Sequence, residues 1–233
     1  RYRDGWQKHN YGKESFMLSF KDISYMIIDD IMQYPIKSSP PKIYNGDARI
    51  VLSEKEFDKF KLCITSPPYL NTFDYTDIYR PELFLGQFVK NMDDLYKLRL
   101  KTIRSHIQAK WETPINSDFG YIYKNCMKYL YNHETDLMHK RIPLMIQAYF
   151  EDMINVLKLL YNKAEKSAQL WFVVSNSAYA DKEIPVDLII ADISKLAGWK
   201  LLEIGVLRNI KRRKTIHSPN INSLRESVII MQK

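Results

Sequence analysis

Leu170-Trp171-Phe172-Val173-Val174 places five apolar residues in a row and is the strongest strand signal in the sequence. Leu62-Cys63-Ile64-Thr65 is a second apolar run, short enough to read as a buried strand. Lys42-Ile43-Tyr44-Asn45 ends at Gly46-Asp47 and predicts a third. Lys200 to Leu207 and Ser227 to Met231 supply two more, joined by a basic loop over residues 208–226. Helical periodicity lies between these runs. Phe16, Phe20, Ile23, Ile27 and Ile31 recur at three- and four-residue steps and predict a helix over 14–34. A brief helix is expected over 48–60, and another over 184–196, opened near Pro185 and closed by Gly198. Five strands interleaved with helices predict an α/β layered sheet.

Residues 87–167 interrupt that alternation. They are mostly helical in pattern, strongest over 142–161, where Met145, Tyr149, Met153, Val156, Leu157 and Leu160 share one face. We expect this block to be a helical insertion and the candidate target-recognition region, with 1–86 and 168–233 forming a partial catalytic domain. The chain has 233 residues and 45% hydrophobic content, which is enough for a real core. No run is long enough to span a bilayer, so no membrane partner is expected. Two cysteines, Cys63 and Cys126, fit a reducing, cytoplasmic setting. The five histidines have no partners at ligand spacing, so no metal is expected. A net charge of +8, with 16 Tyr, 10 Phe and 4 Trp, makes nucleic acid the first partner to test.

Thr65-Ser66-Pro67-Pro68-Tyr69 comes directly after a predicted strand. In open α/β sheets ligands bind beyond the carboxyl ends of the strands, so this loop sits where chemistry is expected. Two prolines fix φ and remove two donors, leaving a rigid array of carbonyl acceptors. Such an array suits an exocyclic amino group, and the tyrosine offers a face on which a base stacks.

The string Ser66-Pro67-Pro68-Tyr69-Leu70-Asn71, with Asp74-Tyr75 close behind, resembles the catalytic motif of amino-methylating DNA methyltransferases. Serine in the first position resembles the N4-cytosine branch; N6-adenine enzymes usually carry Asp or Asn there. The resemblance implies a Rossmann-like, class I S-adenosylmethionine-dependent methyltransferase sheet. It also implies that Ser66 and the Pro67 carbonyl accept from the target amine, that Pro68 stiffens the loop, and that Tyr69 stacks on a flipped base of double-stranded DNA. Asn45-Gly46-Asp47-Ala48-Arg49 resembles the family's segment at the end of its third strand. Asp47, Ala48 and Asn71 are therefore the expected cofactor contacts. Residues 170–177, 198–207 and 225–230 resemble the fifth, sixth and seventh strands.

The family also needs a glycine-rich loop after its first strand and an acidic residue after its second. The seven glycines here are scattered singly, and no such acid is identifiable. The family's sheet order is 3-2-1-4-5-7-6, so strands 3 to 7 are expected and strands 1 and 2 are missing from its middle. Unpaired strand edges do not persist beside such a gap, so a missing amino-terminal half or a partner chain carrying the glycine-rich loop should fill it. With Arg rather than Met at its start, the chain is expected to be a carboxyl-terminal fragment, or else one chain of a split enzyme.

The basic stretch holding Arg208, Lys211, Arg212, Arg213 and Lys214 is expected to contact DNA phosphates, with Arg104-Ser105-His106 and Lys110-Trp111 adding to that surface. N6-adenine methylation, amino methylation of guanine in RNA, and a non-catalytic nucleic-acid-binding role remain open alternatives.

Overall fold

Residues 12–35, 40–212, 216–218 and 220–233 are described by the structure, a computed structural model, and they divide into two units between Tyr44 and Asn45. The first unit carries α1 (Lys13–Gln33), one residue off the predicted span. Its apolar stripe is present, but no residue of the helix is buried, and Phe16 is 67% exposed.

The second unit is built on one sheet of four strands. These are β1 (Phe60–Thr65), β2 (Ala164–Ser175), β5 (Lys200–Lys211) and β6 (Ser223–Gln232), in the order β1-β2-β6-β5. β1 and β2 are parallel, and β6 runs antiparallel to both β2 and β5. That order reproduces positions 4-5-7-6 of the expected methyltransferase sheet. The predicted third strand is not there: residues 42–45 lie outside any strand, and Asp47 caps a short helix, α2 (Ala48–Glu54). A strand needs a ladder partner, and among the described residues β1 is the last strand on that side.

Between β1 and β2 lie α3 (Tyr75–Ile78), α4 (Arg80–Leu85), α5 (Met92–Leu100), α6 (Tyr121–Asn132) and α7 (Ile142–Lys163). The last is the crossover helix that parallel neighbours require. Ile142, Met145, Ile146, Tyr149, Phe150, Met153 and Leu157 of α7 are all fully buried in one cluster with Leu170, Phe172 and Val174 of β2 and Ile229 and Met231 of β6. Each such side chain contributes roughly 1.5–3 kcal/mol by leaving water. The boundary expected at residue 168 thus falls inside β2, which begins at Ala164.

After β2 comes α8 (Val186–Leu196), opened at Pro185 as its pattern predicted. Gly198 sits at φ +100°, and a Cβ there would lie 2.9 Å from the Tyr161 ring. Only glycine combines that backbone with that close approach. The next residue, Trp199, is buried against Tyr161 and donates its indole N–H to Leu157 O at 3.0 Å, tying α7 to the start of β5. A small hairpin, β3 (Ser177–Tyr179) with β4 (Lys182–Ile184), was not predicted. Its two turn residues, Ala180 and Asp181, have φ of +47° and +56°. That turn normally announces itself as Asn-Gly or Asp-Gly.

The basic segment also differs from expectation. Arg208 and Lys211 lie on β5, which runs on to Lys211, because its polar outer half pairs in register with 223–226 of β6. Arg213 and Lys214 lie outside the described residues.

Candidate active site

β1 delivers the Ser66-Pro67-Pro68-Tyr69 turn at its carboxyl end. The residues just beyond the turn hold it in place. Leu70 is fully buried, and its carbonyl oxygen accepts from the Ser177 hydroxyl and from Tyr179 Oη at 2.9 Å, both from β3. Asn71 N donates to Tyr69 O at 2.9 Å, and Asn71 Oδ1 accepts from Phe73 N at 3.0 Å, closing a tight turn. Thr72 sits at φ +62°, a region unfavourable for a β-branched residue. Buried Asp74 then caps α3 by accepting from Thr76 N at 3.0 Å and pairs with Arg99 of α5. The loop is fixed from both ends.

The turn opens on a cavity of about 390 Å³ lined by Ser66, Pro67, Pro68, Tyr69, Tyr75, Arg208 and Glu226. Two aromatic side chains, a hydroxyl, an acid and a guanidinium therefore share one small space. Ser66 Oγ donates to Tyr69 Oη at 3.2 Å, Tyr69 Oη donates to Glu226 Oε1 at 2.8 Å, and Arg208 Nε donates to Glu226 Oε2 at 2.5 Å. The Arg208 hydrogen bond holds the Glu226 carboxyl below the usual carboxylate range, against the opposing effect of burial, so it is ionised at neutral pH. Burial, reinforced by the Glu226 carboxylate, raises the Tyr69 phenol, which keeps its proton.

Glu226 and Tyr75 were missing from the sequence-predicted site. The available signal for Glu226 was an acid at the head of the apolar run Ser227-Val228-Ile229-Ile230, where a buried charge demands a partner. Arg208 was singled out as a phosphate contact. The structure pairs it with Glu226 on the cavity wall and leaves its side chain 69% exposed.

A second cavity, of about 460 Å³, also touches Tyr69 and is lined by Asn71, Asn176, Lys211, Arg212 and His217, among others. Arg212 Nη2 donates to Ala178 O at 3.0 Å. Arg104, Ser105 and His106 do not join this basic surface. Ser105 and His106 are buried, and Arg104 is spent on Asp152 and Glu151 of α7, at 2.7 Å each. Trp111 is covered by the Arg141 guanidinium, 4.8 Å from its ring centre.

The residues expected to face a cofactor each have partners of their own. The Asp47 carboxylate accepts from Arg49 N at 2.9 Å and from the Arg49 guanidinium at 2.6–3.2 Å, and Arg49 in turn reaches buried Asp152 at 2.8 Å. Burial pushes the Asp47 carboxyl up, but the bonds from Arg49 outweigh it and keep the group below its ordinary range. Ala48 is the first residue of α2, and the Asn71 side chain closes its own turn. Asp47, Ala48 and Asn71, the expected cofactor contacts, are thus each engaged within their own local structure. Among the described residues no group of three or more His, Cys, Asp or Glu is placed to hold a metal ion, and no helix is long and apolar enough to cross a membrane.

No family model matches the chain. It is 27% identical over 205 residues to the Type II methyltransferase M.AvaI of Nostoc sp. and of Anabaena variabilis, an alignment that takes in 83% of this chain and 42% of theirs. It is also 27% identical over 198 residues to the Type II methyltransferase M.BsoBI of Geobacillus stearothermophilus, covering 75% of this chain and 38% of that one. The chain therefore spans less than half the length of the curated relatives it matches. Among solved structures, a proposed DNA modification methylase from Thermus thermophilus aligns over 81% of this chain and 52% of its own, at 17% identity and a TM-score of 0.41.

Proposed function

We propose that this chain, which belongs with the Type II methyltransferases it matches, is the target-base half of an S-adenosylmethionine-dependent DNA methyltransferase acting on the N4 amino group of cytosine in double-stranded DNA. The observation that carries the reading is the Ser66-Pro67-Pro68-Tyr69 turn at the end of β1, anchored through Leu70 and opening on a cavity that holds two tyrosine rings. Ser66 Oγ and the Pro67 carbonyl accept hydrogen bonds from the target amine and hold its nitrogen lone pair toward the donor. Tyr69 and Tyr75 cover the flipped base. Serine at the first position supports cytosine N4 over adenine N6.

The methyl donor is S-adenosylmethionine, held by a segment that carries the glycine-rich loop and pairs along β1. The position of β1 at the edge of the sheet among the described residues supports this. Lys211 and Arg212 neutralise phosphates of the bound duplex. Within 87–167, α7 is committed to the core, so groove reading falls to the segment that precedes it.

The test is methyl transfer to duplex DNA by the complete enzyme, with mass analysis of the product nucleosides. N4-methylcytosine is expected; N6-methyladenine, or a methylated guanine in RNA, would replace this reading. Ser66→Ala and Tyr69→Ala should each cut turnover and leave cofactor affinity nearly intact. A parallel loss of cofactor affinity would show the loop to be misassigned.

A further inference from the structure

Resting on that reading, we propose that Glu226 is a positioning residue whose carboxylate, acting through Tyr69, turns Ser66 into an obligate hydrogen-bond acceptor for the target amine.

Each of the three contacts in the cavity uses up a particular proton. An ionised carboxylate has no proton to give, so the contact from Tyr69 Oη to Glu226 Oε1 at 2.8 Å uses the only phenolic proton. Tyr69 Oη then presents lone pairs alone, and Ser66 Oγ, 3.2 Å away, donates its single proton into them. Nothing is left on Ser66 Oγ but lone pairs, and these are what remain for the cavity. A hydroxyl is ambivalent by nature: it meets an amine as acceptor and a carbonyl as donor with equal ease. Here the direction is imposed from the far end. Arg208 locks that end by donating from Nε to Glu226 Oε2 at 2.5 Å and from Nη2 to Oε1 at 3.4 Å, so that Oε1 faces Tyr69 as an ionised, oriented acceptor.

Two consequences for substrate choice result. A base with an exocyclic amine finds an acceptor already aligned, so no reorganisation is needed at the moment of transfer. The deaminated base, with a carbonyl at the same position, meets lone pairs instead of a proton and is rejected. The arrangement lets a serine do what a carboxylate or amide oxygen would do in its place.

The experiment uses the complete enzyme with Tyr69→Phe, Glu226→Gln, the double variant, and Glu226→Asp as a conservative control for folding. Tyr69→Phe keeps the stacking ring and removes the hydroxyl. Each single variant should lower kcat about tenfold, the loss expected for one misdirected hydrogen bond, with KM for DNA moved by less than about twofold. The double variant should be no slower than the worse single, because both changes cut the same relay. Glu226→Asp, which keeps the charge, should recover part of the loss. Single losses that multiply in the double variant, or a Glu226→Gln enzyme as fast as wild type, would overturn the relay while leaving the proposed function standing. A wild-type enzyme that methylates no DNA would overturn the proposed function and the relay with it.

Discussion

Phe172 and Trp171 are neighbours on β2 and point to opposite faces of the same sheet, yet Phe172 is fully buried and Trp171 is 37% exposed. The difference holds across the sheet. On the covered face Leu170, Phe172, Val174, Ile229 and Met231 pack on α7 and α8. On the other face Leu62, Ile64 and Trp171 stay in contact with water. Central strands of α/β sheets are apolar because both faces are meant to be covered. One face therefore accounts for the folding of this unit, and the other is left uncovered among the described residues.

The largest expected effect tests that division directly. Phe172→Ala should destabilise the chain by about 3–5 kcal/mol in urea denaturation, from lost transfer energy and the cavity left behind. Trp171→Ala should cost less than about 1 kcal/mol in this chain, and distinctly more in the complete enzyme. Equal losses at the two positions in this chain would break the comparison.

Next in size is the polar anchor of the covered face. Asp187 of α8 is fully buried and accepts from Arg225 Nε at 2.6 Å, Ser227 Oγ at 2.8 Å and Leu188 N at 2.8 Å. Burial alone would raise this carboxyl, but the Arg225 and Ser227 hydrogen bonds outweigh it and bring it below its ordinary value. A depressed carboxyl adds stability above its unfolded pKa of about 3.9 and loses it as pH falls through the folded value. Asp187→Asn should therefore cost about 3 kcal/mol at pH 7 and much less near pH 2, read by thermal melting across pH. A loss that stays constant with pH would mean that the ion pair does not hold this face together.

The smallest effect separates binding from folding. Lys211 is exposed near the end of β5, so Lys211→Ala should leave stability within about 0.5 kcal/mol. In the complete enzyme it should reduce the salt slope of DNA binding by roughly 0.9, alike for cognate and random duplexes. An unchanged slope would make Lys211 a solvated strand end.

How much of this was legible depends on where the energy lies. The helices over 13–33 and 142–163 and the strand around 170–174 were readable because apolar residues write their own periodicity. The outer halves of β5 and β6 were not, because residues 208–211 and 223–226 are held by pairing and charge instead of burial. Residues 42–45 carry a strand-like pattern but form no strand. Ser66-Pro67-Pro68-Tyr69 was visible as a local string. Glu226 was not, since its meaning depends on a contact with Tyr69, 157 positions earlier.

The carbonyl of Leu70 has two lone pairs, and Ser177 and Tyr179 take both. The chain just past the reactive turn is thereby clamped like a tool in a chuck, with its bit, Ser66, projecting forward. The bit can be exchanged without loosening the jaw. Replacing Ser66 by another acceptor changes what is presented to the cavity while the frame around it stays put. The group that faces the cavity and the bonds that hold the turn are thus written in separate parts of the chain.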